Sequence, residues 1–398
     1  MSFSFPTEVV VEGMSDVVVP MLEAFVAKPS DYAPSKAPVF YNPVMEMNRD
    51  LAVLALQTLQ RTADRELLVC EPLAGCGVRG IRLAKEVEGV ASVFMNDINN
   101  EAYHLAKFNV ERNGVADRIV VDNEDANISL SRFGAPLKRF DYIDVDPFGS
   151  PTPYLDSALR ALRRGGCLAL TATDVAPLCG IHPKACIRKY GGRPLRTEYC
   201  HELAVRLLAG ALARTAAKHD IGVKMLFSNS SRHYVRLYAT VDYGARKADA
   251  SLSSMGYIHH CFSCFHRKVS MGLFSFGKFI CPECNTEMKI AGPLWIGKIV
   301  DKVFTDSMDN EAKSKQLREK RRIHRLLASI SGEAEAPITY YNVDAICDKI
   351  GLPVPPMKRV VTELETAGYK VSLTHFAHQG IKTDASASIV KQAVAGTC

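Results

Sequence analysis

Asp144-Val145-Asp146-Pro147-Phe148-Gly149-Ser150-Pro151 ends an apolar run that begins at Phe140, and it sets an acid, a proline and an aromatic residue side by side. The run predicts a buried strand, and the proline and glycine predict a turn at its end. Such a turn suits a planar ring with an amino group, because the Asp146 carboxylate and the Pro147 carbonyl accept hydrogen bonds while Phe148 offers a stacking face. Considered alone, the stretch is explained more simply as a strand-ending turn.

Apolar runs alternate with helical periodicity on both sides of this turn. After a hairpin around Gly13 and a helix over 45–61, strands are predicted at 67–70, 92–95, 118–121, 140–145 and 167–171, with helices at 78–86, 101–113 and 155–163. Two later runs, 223–229 and 233–242, are too close together for a crossover helix and must pair antiparallel. The sequence therefore predicts an α/β fold, a doubly wound parallel sheet closed by a hairpin. It resembles the class I, Rossmann-like methyltransferase fold.

Length and composition indicate a globular protein of two or three domains. The chain has 398 residues, of which 47% are hydrophobic and 23% charged, and a formal net charge of +6. It shows no charged-then-apolar leader and no long apolar span, so we expect a cytoplasmic protein that does not bind membranes. Twelve cysteines in such a chain indicate reduced thiols or metal ligands rather than disulfides.

Acids follow successive predicted strands, beginning beyond a small-residue loop at 71–77. Asp97 is placed to accept hydrogen bonds from ribose hydroxyls, and Asp125 beside the small Ala126 could meet an adenine amino group. Each acid could equally cap the helix that follows it. Together with the Asp-Pro-Phe turn, which accepts an amine and offers no hydride chemistry, they favour S-adenosylmethionine over a nicotinamide.

Two CxxC pairs separated by sixteen residues predict a zinc ribbon. Four thiolates in this spacing fill a tetrahedral site, so we expect a structural rather than a catalytic Zn²⁺, bound by Cys261, Cys264, Cys281 and Cys284. The segment 174–222 also contains Cys179, His182, Cys186 and Cys200. Their irregular spacing favours buried structural thiols over a second metal site.

The last third of the chain combines a basic stretch with a small lobe. Residues 311–326 carry seven Lys/Arg against two Glu, and a basic helix is predicted over 313–327, either as a solvated face or as an RNA-backbone contact. Helices at 341–349 and 355–368 followed by a strand at 369–374 resemble a winged helix. We therefore predict a methyltransferase domain over 1–250 and a smaller α+β, RNA-binding domain over 251–398, with the ribbon at 256–298 and the basic helix and lobe at 305–398.

Several stretches together resemble the tRNA guanine-26 N2-dimethyltransferase family, in its compact archaeal form. They include Val39-Phe40-Tyr41-Asn42-Pro43 with Asn48-Arg49-Asp50, Gly77-Val78-Arg79-Gly80-Ile81-Arg82, the turn at 144–151, residues 173–180, Arg188-Lys189-Tyr190, Thr374-His375-Phe376 and residues 380–385. They occur in the family's order over nearly the whole chain.

The resemblance implies dimethylation of the exocyclic N2 of guanine 26 in tRNA, with S-adenosylmethionine as methyl donor, and it makes 251–398 the tRNA-binding domain. No obligate protein partner is evident from the sequence. It implies that the cofactor is bound by Arg49, Arg79, Asp97, Asp125 and Ala126. Asp146, Pro147 and Phe148 would hold the flipped guanine. Two alternatives stay open: an amino-methyltransferase for another tRNA guanine or an adenine, and a non-catalytic, zinc-containing RNA-binding protein.

Overall fold

A computed structural model describes residues 3–25, 34–135, 138–231, 233–273 and 277–397. Its strands are β1 Thr7–Glu12, β2 Ser15–Pro20, β3 Leu67–Glu71, β4 Val90–Asn96, β5 Ile119–Asp122, β6 Phe140–Val145, β7 Leu162–Ala172, β8 Ile221–Ser230, β9 Val235–Tyr243, β10 Met255–His260, β11 Arg267–Met271, β12 Lys289–Trp295, β13 Tyr341–Asn342, β14 Val371–Leu373 and β15 Gly380–Thr383. Its helices are α1 Glu46–Thr62, α2 Val78–Glu86, α3 Asn100–Arg112, α4 Ala126–Arg132, α5 Leu155–Ala161, α6 Val175–Leu178, α7 Pro183–Tyr190, α8 Cys200–Ala217, α9 Ala245–Ser253, α10 Lys302–Ala312, α11 Lys320–Gly332, α12 Val343–Ile350, α13 Met357–Thr366 and α14 Ala387–Thr397.

A mixed seven-stranded sheet of the Rossmann-like type lies at the centre of the fold, in the order β5-β4-β3-β6-β7-β9-β8. Strands β3, β4, β5, β6 and β7 pair parallel, and β8 pairs antiparallel with β9. Each residue of β6 is buried, as expected for a strand covered on both faces. The chain order reverses between β3 and β6, and in open α/β sheets ligands bind at such a switch point, beyond the carboxyl ends of the strands.

The predicted α/β fold and its closing hairpin are confirmed, as is the hairpin β1–β2 around Gly13. The prediction of a helix over 313–327 is wrong in its first half. Residues 313–319 form turns and α11 begins only at Lys320, while α10 before them was not predicted. Within the described ranges, no helix combines the length and apolar character that crossing a membrane requires.

The chain folds into two compact units, each formed from separate segments. The first contains Met1–Asp146, Tyr154–Leu170 and Asp306–Leu327, and the second contains Pro147–Pro153, Thr171–Thr305 and Ala328–Cys398. The second unit holds the three-stranded sheet β11-β10-β12 of the ribbon and the sheet β13-β15-β14 of the terminal lobe. The boundary at residue 250 and the tRNA-binding role of 251–398 stay predictions.

Candidate active site and metal centre

Arg79 lies at the centre of a buried network beyond the ends of β3 and β6, in the first unit. Its Nη1 donates to Asn48 Oδ1 at 2.9 Å and to Asp144 Oδ2 at 3.3 Å, and its Nη2 donates to Asp146. Its Nε lies 3.3 Å from Glu71 Oε1. Arg79 and Asp144 are buried, whereas the Asp146 side chain retains 16% of its exposure. The network thus fixes the orientation of the one carboxylate that reaches the surface.

Three carboxyl groups surround this single guanidinium, so the network carries an excess of negative charge. Burial raises the pKa of Glu71 to about 8, against the opposing effect of Arg79, because a charged carboxylate loses its hydration there. Asp144 accepts a further hydrogen bond from the Tyr142 hydroxyl at 2.7 Å. The sequence did not single out Glu71 or Asp144 for a role.

Arg49 follows Asn48 on α1, but its partners differ from those of Arg79. Arg49 Nε donates to Glu12 Oε2 at 2.7 Å, and Nη2 donates to the Asn42 carbonyl at 3.1 Å. Burial acts to raise the pKa of Glu12, but the Arg49 guanidinium outweighs it and holds this pKa below its ordinary value. Tyr41 donates to the same carboxylate at 2.7 Å. The first turn of α1 therefore carries Asn48, which is bonded to Arg79, and Arg49, which is held by Glu12 of the N-terminal hairpin.

Asp97 organises the loop between β3 and α2. Its Oδ2 accepts from the Gly75 N–H at 2.8 Å and its Oδ1 from the Asn99 N–H at 3.0 Å. Burial nevertheless raises the pKa of Asp97, because removing water penalises the charged form. Gly75 has a φ of +54°, and a Cβ there would lie 3.0 Å from the Phe40 carbonyl oxygen, so the loop requires glycine at this point.

Asp125 caps α4, which is one of the two roles that the sequence left open for it. Its Oδ1 accepts from the N–H groups of Asn127 and Ile128 at 2.9 and 3.2 Å. The neighbouring Glu124 is paired instead with Arg132 at 2.6 Å. Between these two acids, Asp125 is therefore the one without an ion pair to an arginine among the described residues.

Tyr154 is a residue of this region that the sequence did not indicate. Burial raises the pKa of Tyr154, and the charges of Asp125 and Asp97 raise it further, which places the phenol within electrostatic reach of both acids. Ala126 beside them is buried. An aromatic side chain, two acids and a small residue thus share one region. The sequence around Tyr154, with Pro151 and Pro153 just before it, gave no indication of this arrangement.

The turn after Asp146 belongs to the second unit, where hydrogen bonds to the residues after β7 hold it. The Gly149 N–H donates to Thr173 Oγ1 at 2.7 Å, and the Thr173 N–H donates to the Gly149 carbonyl at 2.9 Å. Pro147 is buried, whereas Phe148 is 65% exposed. Gly149 has a φ of +83°, the left-handed conformation that lets the turn reverse here.

A second layer of contacts supports the Thr173 segment. The Tyr190 hydroxyl donates to Asp174 Oδ1, and Lys189 Nζ lies 2.9 Å from Asp174 Oδ2. Both partners lie on the last turn of α7. The residues Arg188-Lys189-Tyr190, noted for the resemblance, thus include two that position the loop facing the turn.

The four ribbon cysteines converge, as their spacing predicted. Their sulfurs all lie within 4.8 Å of one another, with Cys261 3.3 Å from Cys284 and Cys264 3.4 Å from Cys281. Zn–S bonds of about 2.3 Å place tetrahedral sulfurs about 3.8 Å apart, so the group is close to the size that zinc requires.

The two CxxC loops also share one backbone geometry. Phe265 and Asn285, each directly after the second cysteine of its pair, adopt a φ of +68° and +55°. The N–H of each donates to the carbonyl of the first cysteine, at 2.9 Å for Phe265 and 3.0 Å for Asn285. A left-handed phenylalanine costs roughly 1–2 kcal/mol. The four thiols fit a closed structural zinc site, whose bonds would offset that cost.

The basic stretch lies in the first unit, and its side chains divide into two groups. Lys315 Nζ donates to Gln57 at 2.8 Å, and Arg318 donates to the Val11 carbonyl at 2.8 Å, so both tie the stretch to the unit. All the other basic side chains except Arg322, which pairs with Glu319 at 2.7 Å, line a surface cavity of about 650 Å³. They are Lys313, Lys320, Arg321 and Arg325, and Asp309, Ala312 and His324 complete the lining. The cavity walls carry four Lys/Arg against one acid.

Comparison with known proteins gives one consistent result. Residues 15–395 match the family model described as N2,N2-dimethylguanosine tRNA methyltransferase. A protein of Methanothermobacter thermautotrophicus named tRNA (guanine(26)-N(2))-dimethyltransferase is 45% identical over 363 residues, 91% of this chain and 94% of its own. One of Aquifex aeolicus, named tRNA (guanine(26)-N(2)/guanine(27)-N(2))-dimethyltransferase, is 37% identical over 95% of this chain and 93% of its own.

A solved structure agrees with these relatives. The complex of Trm1 from Pyrococcus horikoshii with S-adenosyl-L-methionine superposes with a TM-score of 0.84 at 34% identity, over 97% of this chain and 99% of that one. The match therefore includes the central sheet, the ribbon and the terminal lobe. This chain belongs to the N2,N2-dimethylguanosine tRNA methyltransferase family.

Proposed function

We propose that this protein binds S-adenosylmethionine and dimethylates the exocyclic N2 of guanine 26 in tRNA, in the cytoplasm. The observation that carries the proposal is the Asp146 carboxylate, held by Arg79 at the switch point of the sheet and followed in the chain by Pro147 and the exposed Phe148. Family membership supports the substrate class, and the relatives named for guanine 26 support the position.

Electrostatics supports cofactor binding at this place. The donor would supply an electrophilic methyl group on a positively charged sulfonium. An excess of carboxyl groups over guanidinium groups around Arg79 would attract such a cation, and it would do so more strongly where water is excluded. Asp97, Asp125 and Ala126 would meet the adenosine, with Tyr154 beside them, and Arg49 would approach the amino-acid end.

Asp146 and Pro147 would orient the base. The amino nitrogen of guanine is a weak nucleophile while its lone pair is delocalised into the ring. Hydrogen bonds from its N–H groups to the Asp146 carboxylate and the Pro147 carbonyl would favour a pyramidal nitrogen aimed at the methyl group. Positioning would then supply most of the rate enhancement. A guanine in folded tRNA must leave its stack, and Phe148 would receive the flipped ring.

The cavity in the basic stretch suits the tRNA backbone. Lys313, Lys320, Arg321 and Arg325 line it, and cations clustered in this way release counterions when they bind phosphates. Lys315 and Arg318 already bond within the unit and would contribute less. Replacing Lys320 and Arg321 by alanine should weaken tRNA binding and lessen its salt dependence, whereas cofactor binding should not change.

The decisive experiment combines mapping with one substitution. Methyl groups transferred from labelled donor to a tRNA transcript should appear on the N2 of guanine 26, and a transcript with adenosine at that position should accept none. Asp146→Ala should retain cofactor binding, measured by calorimetry, and lose transfer, since Arg79 keeps Asp144 and Glu71 as partners.

Each other outcome contradicts part of the proposal. Unchanged transfer by Asp146→Ala would refute the role of Asp146. Label on another guanine or on an adenine would refute the position, and cofactor binding without any transfer by the unaltered protein would favour the non-catalytic RNA-binding alternative.

A further inference from the structure

A second group of metal-type ligands lies in the second unit, apart from the ribbon cysteines. Cys179 Sγ, Cys200 Sγ and one ring nitrogen of His201 all lie within 4.8 Å of one another. The sequence drew attention to the two cysteines with His182. The structure replaces that histidine by His201, which follows Cys200 in the chain and faces Cys179 through Nδ1 at 3.8 Å.

We propose that Cys179, Cys200 and His201 bind a second Zn²⁺ through two thiolates and one imidazole nitrogen. Zinc–ligand bonds of about 2.3 Å to sulfur and about 2.0–2.1 Å to nitrogen place tetrahedral S and N ligands about 3.5 Å apart. The observed 3.8 Å between Cys179 Sγ and His201 Nδ1 needs only a small closure. Sulfur and imidazole are the ligands that zinc prefers.

The hydrogen bonds that these three side chains make are long. Such bonds would do little to hold the side chains in place, whereas bonds to a metal ion would. Cys179 Sγ donates to the Cys200 carbonyl at 3.6 Å, and His201 Nδ1 lies 3.4 Å from the Ser230 hydroxyl. The Ser230 hydroxyl beside His201 could hydrogen-bond a water that serves as the fourth ligand. Three protein ligands and one further position characterise an open zinc site rather than a closed one.

Tyr340 is a second buried polar side chain in this part of the second unit. Its side chain is fully buried, and its hydroxyl has no hydrogen-bond partner among the described residues. Its ring centroid lies 6.5 Å from that of Tyr199, the residue directly before Cys200. A zinc-bound thiolate accepts hydrogen bonds, so Tyr340 would then donate to Cys200 and lose the cost of an unpaired buried donor.

The position of the site gives it a structural consequence. Cys179 directly follows α6, and Cys200 is the first residue of α8. A metal bound by both would fix the segment from Asp174 to Cys179 to a long buried helix. Asp174 begins that segment and bonds to Tyr190, so the metal would brace the loop that holds the Gly149 turn.

The test is a metal count on the full-length protein, after chelating resin has removed weakly bound ions. Mass spectrometry should find two zinc ions per unaltered chain, one for each ligand group. Cys179→Ser and His201→Ala should each lose one, Cys281→Ser should lose the other, and Cys186→Ser, a matched buried thiol outside the group, should retain both. X-ray absorption on Cys281→Ser should show zinc bound by mixed sulfur and nitrogen.

Two results would overturn the proposal without relying on any variant's folding. A single zinc per unaltered chain, bound only by sulfur, would assign all metal to the ribbon. A Cys179–Cys200 disulfide in the native protein, detected by peptide mapping without reduction, would make the pair a redox site instead. The test does not depend on methyl transfer, so its failure leaves the proposed function intact.

Discussion

Phe148→Ala should lower methyl transfer to tRNA more than it lowers the free energy of unfolding. Phe148 is 65% exposed, so only about a third of the 1.5–3 kcal/mol that a fully buried phenylalanine contributes is at stake, or about 0.5–1 kcal/mol of unfolding free energy. If the ring instead receives the flipped guanine, alanine loses a base–aromatic stack of about 1–3 kcal/mol. That loss lowers kcat/KM for tRNA roughly 5- to 150-fold.

Two assays separate these effects. Transfer of labelled methyl groups to a tRNA transcript, at varied tRNA and saturating donor, gives kcat/KM, while urea unfolding gives the free energy. Phe148→Tyr keeps a stacking face and is the matched control, so it should retain most activity. Calorimetric affinity for the donor should be equal in all three proteins. The reasoning is refuted if Phe148→Leu, which keeps bulk without an aromatic face, is as active as the unaltered enzyme.

Three further predictions concern the surroundings of the site. Glu71→Gln should flatten the pH dependence of the unfolding free energy. The pKa of Glu71 in the folded protein, about 8, exceeds the ordinary 4.5, so the stability that this carboxyl contributes below pH 4.5 is lost as the pH rises towards 8. Urea titrations across that pH range should therefore show a smaller loss of stability in the variant than in the unaltered protein. Removing zinc with a chelator should lower the unfolding temperature of the unaltered protein, and calorimetry should show recovery on adding zinc. The shift should be smaller in Cys281→Ser, which lacks the ribbon zinc and has only the proposed second ion to lose. Gly256→Ala should destabilise the ribbon by roughly 1–3 kcal/mol, because the new Cβ would lie 2.2 Å from the Ser270 carbonyl oxygen, and unfolding curves that match the unaltered protein would contradict this.

The central sheet could be predicted from sequence because its strands are continuous apolar runs. Strand β6 spans Phe140–Val145 as predicted, since a strand buried on both faces needs apolar residues in succession. Helix α2 likewise has the predicted bounds, after a loop that ends at Gly77 in a left-handed conformation. The predicted helix over 313–327 was wrong in its first half because charge density does not indicate where a helix starts, and residues 313–319 lie outside helices before α11.

Side-chain partners were less predictable than strands, because they join positions that are distant in sequence. Nothing local indicates that Arg49 pairs with Glu12 of a hairpin thirty-seven residues away. Tyr154 lies near Asp97 and Asp125 only because the sheet brings their loops together. The ribbon cysteines are the exception, since metal-ligand spacing is a local property and their convergence followed from it.

The two arginines implied by the family resemblance differ in what they have left to offer a ligand. Arg79 uses Nε, Nη1 and Nη2 to bind Glu71, Asn48, Asp144 and Asp146. A cofactor carboxylate would therefore have to compete with three acids that already contact the guanidinium. Arg49 directs Nε and Nη2 to the two Glu12 oxygens and Nη2 also to the Asn42 carbonyl, so these bonds leave only Nη1, and it pairs with one acid rather than three. We therefore propose Arg79 as the internal counter-ion that orients Asp146, and Arg49 as the group that approaches the donor. A guanidinium that neutralises buried acids must stay planar and charged, which lysine cannot reproduce with one point charge. The turn at Asp146 thus depends on α2 as much as on its own strand.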